Sequence, residues 1–153
     1  MNPIASTSIR FDSVAPQFTV PEVVHTAQYY RDVLGFEIAG YWDGEQVHLD
    51  AGRPAVFGIV RRDQTRLHFN RADQSDLRTS RAEGAYDVYF HVTGVDALAE
   101  ELSRRGADIL DGPEDRAYAQ RELIVRDCNG LILAFGEDTS QLKRDPLAHQ
   151  KRA

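Results

Sequence analysis

Histidine, aspartate and tyrosine side chains stand at alternate positions in two short segments of the chain. One segment, LHF, carries His68 between two apolar residues, and the other, DVYFHV, carries Asp87, Tyr89 and His91. Successive side chains of a β-strand point to opposite faces, so these polar groups should share one face while the apolar residues pack against a helix. Imidazole, carboxylate and phenol groups on an open face can bind a small polar molecule. We therefore predict that these four residues contact a ligand, although a solvent-facing row would show the same pattern.

Large aromatic residues outside the predicted helices could stack on a planar ligand. Trp42 precedes the turn-forming pair Asp-Gly, and Tyr118 lies in the polar segment EDRAYAQRE, so we place both at the rim or wall of a binding cleft. Phe57 is expected to pack in the core. Arg121 and Glu122 could contact a polar ligand, but a surface ion pair is the favoured interpretation for them.

The cysteine content and charge exclude several classes of function. Cys128 is the only cysteine, which rules out an internal disulfide and any site built from several cysteines. The formal net charge of −6 argues against binding a nucleic-acid backbone and permits a cationic ligand. Phosphate-binding glycine loops, nucleophile elbows and paired-histidine zinc motifs are missing from the sequence.

The length and hydropathy of the chain favour one soluble domain. The 153 residues include no apolar run approaching the ~20 residues that a membrane-spanning helix needs. The first residues lack the basic patch and apolar stretch of a secretory signal. We therefore expect a cytoplasmic protein that contacts neither membrane nor nucleic acid.

Two amphipathic helices are predicted between strand-like segments. Apolar residues recur every three or four positions over residues 21–34 and again over 95–105, and a glycine follows each run. Eight strands are expected from β-branched and aromatic content. They cover residues 15–20, 36–42, 56–61, 66–70, 86–92, 107–110, 122–126 and 131–135.

The second half of the chain repeats the first. IVRRDQTRLHF at Ile59–Phe69 is similar to IVRDCNGLILAF at Ile124–Phe135, and the order strand, helix, three strands occurs twice. The pattern predicts an α+β fold of two βαβββ modules in a single domain at residues 13–137. Module one covers about 13–70 and module two about 84–137. A linker at 71–83 joins them, a flexible arm covers 1–12, and a tail covers 138–153.

These segments resemble the vicinal oxygen chelate superfamily, which contains glyoxalases, extradiol dioxygenases and bleomycin-resistance proteins. The most specific pieces are YYRDVLGFEI at Tyr29–Ile38, VYFHVTGVDAL at Val88–Leu98 and RELIVRDCNGLIL at Arg121–Leu133. Among its branches the chain is most similar to the bleomycin-resistance proteins. The resemblance implies two curved mixed sheets that form a cleft for a small molecule, and it implies a homodimer in which a second chain completes shallow clefts.

The resemblance also implies four metal-ligand positions, which project onto Ala15, His68, Asp87 and Ala134. Alanine has no donor atom, so a divalent metal would be left with His68 and Asp87, fewer than the three protein ligands of a typical catalytic site. Gln17 would supply a donor if the register were shifted by two residues. No cofactor is therefore expected, and a divalent metal remains an alternative.

The favoured function is metal-independent binding that sequesters a small aromatic or cationic molecule, as antibiotic-resistance proteins of this superfamily do. One alternative is a metal-dependent lyase, isomerase or dioxygenase of the same superfamily, in which a metal polarises a pair of oxygens and a base moves a proton. A second alternative is a structural or regulatory interaction module. The fold alone does not choose among these three functions.

Overall fold

Each half of the chain begins with a strand and a helix and continues into antiparallel strands. The computed structural model of the protein describes residues 8–72 and 84–140. The first half contains β1 (Gln17–Val20), α1 (Val23–Asp32), β2 (Glu37–Trp42), β3 (Val47–His48), β4 (Phe57–Arg62) and β5 (Thr65–Arg71). The second half contains β6 (Val88–His91), α2 (Val95–Arg104), β7 (Asp108–Arg116), β8 (Gln120–Arg126) and β9 (Ile132–Asp138).

The strands form one mixed sheet in each half. The first sheet has the order β1-β5-β4-β2-β3 and the second has the order β6-β9-β8-β7. In each sheet the first strand pairs in parallel with the last strand of its own half, and the other pairings are antiparallel. This repeated topology confirms the predicted α+β fold of two modules.

The strands differ most from the prediction at two places, and the other strand ends lie within three residues of it. The two-residue strand β3 was not predicted, because so short a segment carries no alternation. Strand β7 continues to Arg116, although the sequence predicted its end at Leu110. The extension contains the segment DGPED, whose composition is typical of a turn. The pairing of β7 with β8 shifts register twice there, and Gly112 adopts a φ of 85°, so β-bulges accommodate these residues within the strand.

The predicted arm, linker and tail lie largely outside the described residues. Residues 8–12 are exposed and belong to no helix or strand. Of the predicted linker, the structure describes Arg71, which ends β5, and Ala72, and the rest at 73–83 lies outside the described residues. Of the predicted tail, it describes residues 138–140, and residues 141–153 lie outside.

Both helices bury one face because their apolar residues follow the helical period. Helix α1 buries Val23, Ala27 and Tyr30, and α2 buries Val95, Ala99 and Leu102. In the part of the chain that the structure describes, neither helix is long and apolar enough to cross a membrane.

The two halves share one hydrophobic core. The rings of Phe36 in the first half and Phe90 in the second have their centres 6.2 Å apart, and Phe90 stacks on Phe135 at 4.8 Å. The core includes Leu67 and Phe69 of β5. Since neighbouring strand residues point to opposite faces, His68 and Tyr89 lie on the faces of their sheets that are directed away from this shared core.

Polar contacts also join the halves. Tyr30 is fully buried and its hydroxyl donates to the Asp127 carboxylate at 2.7 Å. The Asn129 amide donates to Thr26 Oγ1 at 2.9 Å. Burial raises the pKa of Asp127, while the hydrogen bond from Tyr30 opposes that shift. The hydrophobic and polar contacts together hold the halves in one arrangement and leave one outer face on each sheet.

Candidate functional site

The outer face of the second sheet is built from alternate residues of three paired strands. Tyr89 of β6 pairs with Ala134 of β9, and Ala134 pairs with Ile124 of β8. In the neighbouring row His91 pairs with Gly136, and Gly136 pairs with Glu122. These six residues share a face because the register keeps paired residues on the same side of a sheet.

Tyr89 crosses the middle strand of this face to reach Glu122. Its hydroxyl donates to Glu122 Oε1 at 2.9 Å, and it lies 3.4 Å from Gln120 Oε1. The path runs directly over Gly136, where an added Cβ atom would overlap the Tyr89 hydroxyl and its ring. Glycine at position 136 is therefore a steric requirement of this contact.

Glu122 is a fully buried carboxylate on this otherwise partly open face. The Tyr118 hydroxyl lies 2.8 Å from each of its carboxylate oxygens, and Arg116 Nε donates to Oε2 at 3.2 Å. With the bond from Tyr89, both carboxylate oxygens have partners, which is what burial of a charge requires. The favoured prediction of a surface ion pair was wrong for Glu122. The neighbouring Arg121 points the other way and pairs with Asp96 and Asp115.

Arg116 gathers a cluster of carboxylates beside the tyrosines. Its guanidinium contacts Asp111 at 2.6 Å and Glu114 at 2.9 Å in addition to Glu122. The hydrogen bond from Arg116 lowers the pKa of Asp111. One guanidinium thus faces three carboxylates, and this part of the face carries an excess of negative charge.

An aromatic row borders the buried carboxylate. The ring centres of Tyr86 and Tyr89 are 6.4 Å apart, and those of Tyr89 and His91 are 5.2 Å apart. The Tyr118 side chain stands on the turn between β7 and β8 and is 61% exposed. The pKa of Tyr118 is raised because its hydroxyl donates to Glu122, and the pKa of Tyr89 is raised mainly by burial and further by the same carboxylate. Both hydroxyls therefore stay protonated and act as donors at neutral pH.

The predicted ligand-binding residues fall into two groups. Tyr89, His91 and Tyr118 lie together on the second sheet. Asp87 directly precedes β6, and its carboxylate accepts a hydrogen bond from the Ile132 backbone amide at 2.7 Å. Trp42 lies on the first sheet, as does His68.

The second group occupies the outer face of the first sheet. The ring centres of His68 and Phe57 are 5.3 Å apart, and Trp42 pairs with Phe57 across β2 and β4. Phe57 therefore lies on the outer face rather than in the predicted core. Within residues 8–72 and 84–140, no described hydrogen bond or ring contact joins Trp42 or His68 to the Tyr89 group.

Within one chain, the donor atoms at the projected metal positions do not come together as a site with three protein ligands. Gln17, rather than Ala15, lies opposite His68 in the pairing of β1 with β5, as expected for the register shifted by two residues. In the second sheet, Ala134 offers no donor next to Tyr89. Among residues 8–72 and 84–140, no group of three or more His, Cys, Asp or Glu side chains is arranged to hold a metal ion.

A cavity of about 530 Å³ lies along the seam between the two halves. Its walls include Phe36, Phe90 and Phe135, and the ion pair between Arg62 and Glu101 borders it. His91, whose ring contacts Tyr89 in the aromatic row of the outer face, also lines this cavity.

Sequence reasoning missed Arg116 and Gly136, which organise the second face, and it missed the burial of Glu122, which it named only as a possible ligand contact. Alternation around Leu123 and Val125 would have placed Glu122 on the same face as Ile124. The burial of Glu122 depends on Tyr118 from a turn and on Tyr89 from a strand that is not adjacent in the sheet. Neither contact leaves a periodic signal in the sequence.

Comparisons with known proteins bear on the fold and on its family. A protein-family model described as the Glyoxalase/Bleomycin resistance protein/Dioxygenase superfamily matches residues 10–135. No curated protein matches the chain.

Three solved structures illustrate the similarity of fold. A bleomycin-binding protein from Streptomyces verticillus, solved with copper(II)-bleomycin, is 26% identical, with a TM-score of 0.60 over 84% of this chain and 97% of that chain. TioX from Micromonospora sp. ML1 is 15% identical, with a TM-score of 0.64 over 84% and 99% of the two chains. TnmS3, an antibiotic-binding protein from Streptomyces sp. CB03234, is 21% identical, with a TM-score of 0.57 over 85% and 99%.

Proposed function

Because the chain belongs to the glyoxalase/bleomycin resistance protein/dioxygenase superfamily, we propose that it binds and sequesters a small molecule without a metal. The observation that carries this proposal is the aromatic row of Tyr86, Tyr89 and His91 beside the acidic cluster around Arg116. Aromatic faces provide apolar contact area, and fixed carboxylates favour a positively charged group. The similarity to a bleomycin-binding protein supports an antibiotic as the class of ligand.

A second copy of the chain would complete the site. The shared core directs the two outer faces away from each other, so a cleft that uses both needs the first sheet of one copy opposite the second sheet of another. The first sheet and the residue that follows β3 carry exposed apolar side chains suited to such burial, because Trp42, Val47 and Leu49 are 37%, 73% and 69% exposed. Sedimentation should therefore show a dimer, and a monomer at micromolar concentration would contradict this arrangement.

In that dimer, all six predicted residues border the binding site. His68 and Trp42 come from one copy, and Tyr89, His91 and Tyr118 come from the other, with Asp87 beside them. Sequestration in the cytoplasm needs affinity and no chemical step, so it does not depend on a metal site.

The direct test is calorimetric titration of the protein with copper(II)-bleomycin and with a panel of antibiotics of other scaffolds. We expect saturable binding of at least one compound by protein whose metal content, measured by elemental analysis, is far below one equivalent. Trp42→Ala should weaken that binding by about 1–3 kcal/mol through lost stacking area while the fold persists. Failure of every compound to bind would overturn the proposal.

A metal-dependent lyase, isomerase or dioxygenase is the second candidate, because Gln17 and His68 lie in register and present two donors on one face. His68→Ala separates the two functions. A metal enzyme should lose its metal and its activity together, whereas a binding protein should show a modest change in affinity. Bound metal near one equivalent in the wild-type protein would favour the enzyme.

A further inference from the structure

Two of the three side chains that cover Glu122 are held in place by other parts of the sheet. Tyr89 lies over Gly136 with no room for even a methyl group between them. Arg116 is anchored by Asp111 and Glu114 as well as by Glu122. Moving either side chain would break contacts that do not involve Glu122.

The third cover, Tyr118, is different because it stands on the protein surface. Tyr118 is 61% exposed, and its hydroxyl shares its one proton between the two oxygens of the Glu122 carboxylate. It belongs to the turn between β7 and β8, where the next residue, Ala119, has a φ of 59°. Rotation of the Tyr118 side chain into solvent would uncover Glu122 while Tyr89 and Arg116 stay bonded to it.

The group that could take the place of the Tyr118 hydroxyl must donate hydrogen bonds to a carboxylate. The cluster has one guanidinium for three carboxylates, so a cation gains more there than a neutral donor does. A planar amidinium or guanidinium can donate one N–H to each carboxylate oxygen, where Tyr118 has a single proton for both, and the adjacent aromatic row can contact an attached ring.

We propose that Glu122 is the charge-recognising residue of the second face and that a ligand's amidinium, guanidinium or ammonium group reaches it by displacing the Tyr118 hydroxyl. The inference rests on the proposed binding function and names the class of ligand that the site selects. Tyr118 is then a competitor for the site as well as its cover, and Tyr89 is the residue that positions the carboxylate.

The test uses three probes of nearly equal shape: benzamidine, which is a cation, benzamide, which is neutral, and benzoate, which is an anion. Amide chemical shifts of the labelled full-length protein report binding to each. The wild type should bind benzamidine with the largest shifts at Tyr118 and Ala119. Its affinity for benzamide and for benzoate should be lower by a factor of roughly ten or more.

Two variants distinguish binding of the cation by Glu122 from a purely structural role of Tyr118 as the side chain that covers Glu122. Tyr118→Phe removes the competing hydroxyl and keeps the ring, so it should bind benzamidine roughly tenfold more tightly than the wild type. Glu122→Gln should remove the preference for the cation. Tyr29→Phe is the matched control, because the Tyr29 hydroxyl bonds the Arg126 carbonyl at 3.4 Å away from this face, and its affinity should equal that of the wild type.

Equal affinity for the three probes, absence of benzamidine binding, or a Tyr118→Phe variant no tighter than the wild type would overturn the inference. Should Glu122→Gln fail to fold, Tyr118→Phe decides alone, since it keeps every charge of the cluster. If an antibiotic binds wild type and Glu122→Gln equally, the inference fails while the binding function stands. If the benzamidine pattern holds and no antibiotic binds, the inference stands and sequestration of antibiotics fails.

Discussion

At the residue scale, Gly136 is important because it has no side chain. A strand glycine costs conformational entropy, and here the missing side chain gives Tyr89 its path to Glu122. The alternation of polar and apolar residues predicted correctly that Tyr89 and His91 share a face. It could not predict that Tyr89 spans two strands, because that contact depends on the residue at position 136 in a partner strand.

Replacing Gly136 with alanine should therefore displace Tyr89 and expose Glu122. We expect Gly136→Ala to lower the free energy of unfolding by about 1–3 kcal/mol, as overpacked sites do, measured by urea denaturation. Gly40→Ala is the control, since a Cβ there meets its nearest neighbour, in Val47, at an ordinary 3.5 Å. In Tyr89→Ala/Gly136→Ala the cost of the added methyl group should disappear. A Gly136→Ala protein as stable as Gly40→Ala would contradict the close approach.

At the scale of elements, the helices were predictable to within two residues because the apolar spacing of each run and the glycine that follows it agree with one another. The bulged half of β7 was not predictable. Its DGPED sequence signals a turn, and its strand conformation exists because β8 lies alongside it. Because this half of β7 was not predicted, Arg116 at its end was not predicted as a site residue. Local sequence determines an element where its signals agree, and neighbouring strands determine it where they conflict.

The start of α2 depends on a residue from a distant strand. Gly94 precedes the helix and supplies no side-chain cap, and the Glu137 carboxylate of β9 accepts from the Val95 backbone amide at 2.9 Å. A carboxylate at a helix N-terminus satisfies a free amide and interacts favourably with the helix dipole. We expect Glu137→Ala to cost about 1 kcal/mol of unfolding free energy, whereas Glu100→Ala on the exposed side of α2 should change it by less than about 0.5 kcal/mol. Equal values from thermal denaturation of the two variants would argue against this cap.

At the scale of the whole molecule, the shared core decides which surfaces are available for binding. Alternation along a strand shows which side chains face the same way, but whether the two halves meet through their helix-covered faces is a long-range property of packing. The six predicted residues lie on two outer faces of one chain, so they can form a single site only in the dimer, in which the two faces can meet. The contacts across the seam are what hold each chain in the arrangement that such a dimer would require.

The ion pair between Arg62 and Glu101 across this seam should make the free energy of unfolding fall as the pH falls. Arg62 of β4 contacts Glu101 of α2 at 2.7 Å, Arg105 lies 3.7 Å away, and the hydrogen bond from Arg62 lowers the pKa of Glu101 in the folded protein. A carboxyl group whose folded pKa lies below its unfolded value of about 4.3 stabilises the folded state fully above that value. The stabilisation is lost as the pH falls through the lowered folded pKa.

The difference in unfolding free energy between wild type and Glu101→Gln should therefore be largest at pH 7 and shrink steadily toward pH 3 in urea denaturation. Glu100→Gln, one residue earlier on the exposed side of the helix, should show little difference from the wild type across the same range. A Glu101→Gln difference that stays constant or grows on acidification would mean that the pair does not stabilise the seam.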